Sequence, residues 1–166
     1  MLKQSNMTTG ARTRLRIYVN DHRAGAAGGV SIARRCRDNN LGTALGVELQ
    51  RIVSEIEEDA TTLTQLAQRC SLPASPVKLA LAWAGERAGR LKLNGQVRGY
   101  SPLSRLLELE LLIAGIDAKS ELWRSLGAAE LPELAGVDFE ALAARAIAQH
   151  EALQPHHDDA ARAALA

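Results

Sequence analysis

The chain has 166 residues, and its 20 Lys+Arg against 19 Asp+Glu leave a net charge of +1. That length fits one domain with a proper core, and the even charge balance argues against a nucleic-acid partner, which needs a concentrated basic face. Aromatic content is only 3% and strand-like alternation is nearly absent, so the expectation is an all-α fold with an aliphatic core.

Residues 1–12 are polar, lack the apolar centre of a signal peptide and read as a flexible tail. No apolar run approaches the roughly 18 residues that span a membrane, so the expectation is a cytoplasmic protein with no membrane partner. Two cysteines, Cys36 and Cys70, are too few for a disulfide scaffold or a thiolate metal site.

The first helix is predicted over 13–37. Its seam is Leu15, Tyr18, His22, Gly25, Gly29, Ile32 and Cys36, at alternating steps of three and four. Glycine inside a helix costs about 1 kcal/mol relative to Ala. The pair Gly25 and Gly29 within AGAAGG therefore predicts close packing of another helix, or else space kept for something.

DNNLG, at 38–42, signals a turn. The second helix is predicted over 43–70, with the seam Leu45, Leu49, Ile52, Ile56, Asp59, Leu63, Leu66 and Cys70. Asp59 is its one charged member, and Glu55 leans to the same side. A tight turn makes the two helices antiparallel neighbours, with residue i facing roughly residue 79 minus i. His22 then lies level with Glu55 and Asp59, while Cys36 and Cys70 stand ~40 Å apart.

SLPASP closes the second helix, and a short helix is predicted over 76–91 as part of a crossover. The connection carries Arg87, Arg90, Lys92, Arg98 and Arg105, which read as a solvated basic stretch or an anion-holding one. Ser101-Pro102 caps the next long helix, over 102–126, with the seam Leu106, Leu109, Ile113, Ile116, Ser120 and Trp123. Leu103, Leu107, Leu111 and Leu112 carry apolar surface almost all round it, more than one core requires, which points to self-association as a homodimer. Glu110 lies about 60° from the seam centre, with Asp117 below it, while Glu108 points away. The last helix starts near Val137, with the seam Phe139, Ala143, Ala146, His150, Leu153 and His157. Pro155 is expected to kink or interrupt it, leaving a fraying C-terminal tail over 158–166.

The candidate chemistry is thus Asp21 and His22, Glu55 and Asp59, Glu110 (with Asp117) and His150, one group from each long helix. Such groups, buried, must pair or bind a cation. Pairing predicts a His–carboxylate network, for example His22 with Asp59 and His150 with Glu110. Cation binding predicts a di-iron or di-manganese centre. A third reading is a small-molecule pocket beside Gly25 and Gly29, which predicts an apolar cavity there. No nucleophile elbow or phosphate loop occurs.

Over 13–157, two antiparallel helix pairs joined by a crossover resemble the ferritin-like four-helix bundle. NDHRAGAAGG and GRLKLNG…GYSPLSR are similar to segments of small uncharacterised bacterial proteins of that superfamily. The resemblance implies a Glu from each of two helices and Glu-x-x-His from each of the other two. Asp21 and Glu110 match the single carboxylates. Glu58 stands where a His should follow Glu55, and Ile147 stands where a Glu should precede His150. The resemblance therefore implies a degenerate metal site in a non-catalytic bundle, or a diverged one that handles iron or manganese.

Overall fold

The computed structural model describes residues 7–74 and 100–166; the short helix expected over 76–91 lies outside them. Four long α-helices account for most of the described chain: α1 (Thr9–Asn39), α2 (Ala44–Arg69), α3 (Pro102–Ala128) and α4 (Phe139–Leu165), with one 3₁₀ turn at Pro132–Leu134. No strand occurs among the described residues, and none of the helices there is long and apolar enough to cross a membrane.

Local chemistry sets the helix ends. Thr8, Thr43, Ser101 and Asp138 each accept a backbone N–H of the first turn. After α2, Ser71 takes a left-handed φ of 52°. Its N–H donates to Gln68 and that of Leu72 to Ala67, which satisfies the last carbonyls of the helix. Between α1 and α2 the chain reverses through Gly42, at φ 79°.

The hairpins α1–α2 and α3–α4 pack most extensively; α1 also meets α3, and α2 meets α4. Arg35 pairs with Glu108 and Leu15 lies near Leu126, so α1 and α3 run antiparallel. Arg145 pairs with Asp59 and Gln149 bonds Glu55, so α2 and α4 do too. The diagonal pair α2 and α3 is parallel. The core has two halves. One holds Leu49, Ile52, Leu109, Ile116 and Leu153; the other holds Leu63, Leu66, Leu122, Trp123 and Leu134. A polar layer at Asp59, Lys119 and Gln149 lies between them.

The α2 seam is buried along its whole predicted length, Leu45 to Cys70. Other expectations need correction. α1 begins at Thr9, within the stretch read as a tail, and continues to Asn39. The turn therefore falls later, and Arg12 bonds the carbonyls of Cys70 and Ser71, about one helical turn out of the expected register. α4 runs through Pro155 to Leu165, with no frayed tail. Pro155 is exposed, as is Glu151, whose carbonyl loses its helical donor and faces water. Beyond the proline, Ala160 is buried in the core, which holds the last turns in place. Both cysteines are buried and free, at opposite ends of the α1–α2 pair.

Candidate functional site

Asp59 is the centre of the polar layer. Its side chain is 2% exposed, yet it sits on the apolar stripe of α2, where an unpaired carboxylate would be untenable. Two cations meet it. Lys119 Nζ, from α3, lies 2.6 Å from Oδ2, and the Arg145 guanidinium, from α4, bonds Oδ1. Lys119 also donates to Gln149 Oε1 at 2.5 Å. Gln149, fully buried, donates in turn to Glu55 Oε2 at 2.8 Å. Arg51 closes on Glu55 from one turn earlier in α2 (2.6 Å), and Arg145 reaches Glu58 at 3.1 Å. Carboxylates and cations thus alternate from the surface into the core and back.

This arrangement tunes its members. Burial pulls the Lys119 ammonium below its ordinary value, with Asp59 pulling the other way. Burial works against ionised Glu55, but the hydrogen bonds from Gln149 and Arg51 outweigh it and hold its carboxyl below the ordinary 4.5. A carboxyl with a depressed folded-state pKa stabilises the fold fully above its unfolded value, and that stability is lost as pH falls through the folded one. The Tm difference between the wild type and Glu55→Gln should therefore be constant above about pH 5 and shrink below about pH 4.5. Thermal melts at stepped pH read this directly, and a gap that widens on acidification would refute the assignment.

The six sequence candidates do not converge. Glu55 and Asp59 share the layer, but their partners are Arg51, Lys119, Arg145 and Gln149 rather than imidazoles. His150 lies half-buried off the α4 seam and bonds Asp117 (2.7 Å). Glu110 is exposed and faces His157, 3.8 Å away. Asp21 is exposed on α1. His22 is half-buried, packs edge-on against Tyr18, and is drawn below its ordinary pKa by burial, with Asp21 opposing. Among the described residues, no three His, Cys, Asp or Glu side chains cluster in a way that could hold an ion. Glu108 also departs from expectation: it is buried and paired with Arg35 at 2.6 Å.

The second correction concerns Gly25 and Gly29. A Cβ added at either would meet nothing within 4 Å, so no helix packs closely there. α1 is anchored at its ends, by Val19 and Asn20 and by Ala33 and Cys36, and has no fully buried residue between 21 and 32. A cavity of about 130 Å³ lies under that span. Gly25, Ala26 and Gly29 form one wall; Leu111, Gly115 and Ala118 of α3 form the other; Ile56, Asp59 and Ala60 of α2 form part of the floor. Exposed Gly25, Leu111 and Ala118 mark its open mouth. His22, Lys119 and Trp123 also line it. Trp123 is 0% exposed, and its Nε1–H has no acceptor among the described residues; a buried donor left so costs about 1–3 kcal/mol.

Lys119, Arg145 and Gln149 escape a reading that counts histidines as core groups and long cations as solvated. The signal was present: a carboxylate on an otherwise unbroken apolar stripe demands cations at its height, and aliphatic stems let Lys and Arg reach inward. No protein-family model matches the chain, and neither a curated protein nor a solved structure does.

Proposed function

We propose that this chain is a non-catalytic bundle of the ferritin-like type, in which the protein's own cations stand where such bundles hold metal, and that it acts through association with a second copy. The observation that carries the first part is the seat of Lys119 between Asp59 and Gln149, 2.6 and 2.5 Å away. A di-metal centre needs carboxylates and imidazoles free to ligate. Here the two inward carboxylates of α2 are bonded to an ammonium, two guanidinium groups and an amide, and the nearest donor set is cationic rather than anionic. These residues do not fit an iron or manganese pair. Two antiparallel hairpins whose second and third helices run parallel support the ferritin-like assignment.

Association is supported by Leu103, Leu107 and Leu111, 37%, 37% and 58% exposed, which form a row at steps of four on α3. Such a ridge is self-complementary across a two-fold axis, because it interleaves with its own copy. The expected result is twice the monomer mass by light scattering at micromolar concentration, reverting to monomer in Leu107→Glu. Metal analysis after anaerobic loading with ferrous iron should find none bound stoichiometrically. A monomer at all concentrations would overturn the association, and tightly bound iron or manganese the first part.

A further inference from the structure

We infer that α3 of one copy packs antiparallel on α3 of a second copy about a two-fold axis at Leu111, so that Leu103 and Leu107 of each seat on Ala118 and Gly115 of the other. The inference rests on the association proposed above and gives it a register. It is carried by the order of side chains along α3. Leu103, Leu107, Leu111, Ala114, Gly115 and Ala118 are all exposed and follow one another within steps of three or four, so they share a face. The first half of that face is large and the second small. Reversal about Leu111 sets Leu107 opposite Gly115 and Leu103 opposite Ala118. Both outer leucines then meet residues with little or no side chain, and the helix axes can approach to the usual packing distance. A foreign helix would need the complementary order by coincidence. A second copy has it by symmetry, because a two-fold contact uses one patch twice.

Charge and area agree with this register. The exposed carboxylates of Glu110 and Asp117 are turned off the face, towards His157 and His150 of α4. The overlap, positions 102–120 of α3 with α1 alongside, is about 28 Å long and ~20 Å wide on each copy, or roughly 1,100 Å² in all, past the roughly 1,000 Å² of a specific interface. Gly115 supports the same conclusion. Glycine lowers helix propensity, yet a Cβ added at Gly115 would meet nothing within 4 Å in its own copy. Packing inside one copy does not require it. In the pair, a side chain there would take the seat of the partner's Leu107, which also covers the cavity mouth between Gly25 and Ala118.

The test exchanges large for small. Gly115→Leu should fold with a Tm no lower than that of the Leu107→Glu monomer, because its own copy leaves room, and should raise the dimer Kd at least about tenfold by light scattering over a dilution series. Adding Leu107→Ala should return Kd to within about threefold of wild type, since large again meets small. Single cysteines read the geometry, with native Cys36 and Cys70 buried and out of reach. Leu111→Cys should oxidise to a dimer linked to itself, and a mixture of Leu107→Cys and Gly115→Cys should link the two variants to each other. Leu107→Cys alone should not link, because its two copies lie ~12 Å apart along the helix, beyond disulfide reach. A dimer in which Leu107→Cys links to itself, or in which Gly115→Leu leaves Kd unchanged, overturns this register and leaves the association standing. A double variant no tighter than Gly115→Leu overturns the seat of Leu107 on Gly115. A wild-type monomer at all concentrations overturns the association, and this inference with it.

Discussion

Asp59→Ala should lower stability by about 3–5 kcal/mol, because it strands the buried Lys119 ammonium without its carboxylate. For a chain of this size that is a fall in Tm of roughly 10 °C. Truncating an exposed ion pair such as Arg124 with Glu121 should change stability by only about 0–1 kcal/mol. The contrast arises from solvent: water replaces a lost partner fully at the surface and only poorly beside Ile56 and Ile116. The cost belongs to the orphaned charge rather than to the bond. Combining Asp59→Leu with Lys119→Met should therefore recover more than half of the loss, since an apolar pair of similar volume suits the layer. Thermal unfolding of Asp59→Leu, Lys119→Met and the double variant measures this coupling. Additive losses in the double variant would show that the layer stabilises through packing alone.

The same layer marks how far the sequence could be read. α2 was legible throughout because its apolar stripe is interrupted only at Asp59, and a straight helix with one buried face has one solution. α4 was not. Ala143 and Ala146 fix its inward face only weakly, and the next inward position lies three or four residues on, at Gln149 or His150. The bundle buries Gln149, whose amide can donate to Glu55 and accept from Lys119 at once. A neutral imidazole carries its one donor and one acceptor on separate edges of the ring and cannot present both from one end, as the amide does. The turn of α4 that follows also moves His150 out to Asp117. For α1, periodicity located a small-residue face correctly but could not say whether a helix or open space lies against it, because glycine serves both. That distinction depends on how α3 packs, through Leu112, Ile116 and Leu122, towards α2 and α4. Pro155 deceived for another reason. A proline removes one helical hydrogen bond, but burial of Ala160 beyond it holds the helix together when the orphaned carbonyl faces water.

Gly46 shows what a glycine that packing does require looks like, and it yields the sharpest contrast with Gly29. A Cβ at Gly46 would lie 2.1 Å from the Asn40 carbonyl oxygen, a backbone atom that cannot swing aside. That oxygen also accepts from the Thr43 hydroxyl at 2.7 Å and from the Thr43 N–H at 3.2 Å. Asn40 itself is buried, its side chain donating to the Cys36 carbonyl (2.7 Å) and the Tyr100 hydroxyl (3.1 Å). Gly46→Ala must therefore move the α1–α2 turn as a unit, breaking the cap that starts α2 and disturbing the Tyr100 contact. The expected loss is about 1–3 kcal/mol, despite alanine's better helix propensity. Gly29→Ala meets nothing within 4 Å, so propensity acts alone and stability should rise by about 0.5–1 kcal/mol. One chemical change, in two helices of one bundle, should thus shift Tm in opposite directions. Two shifts of the same sign would mean that either the turn yields more easily than its hydrogen bonds imply, or α1 lies closer to α3 than the cavity allows.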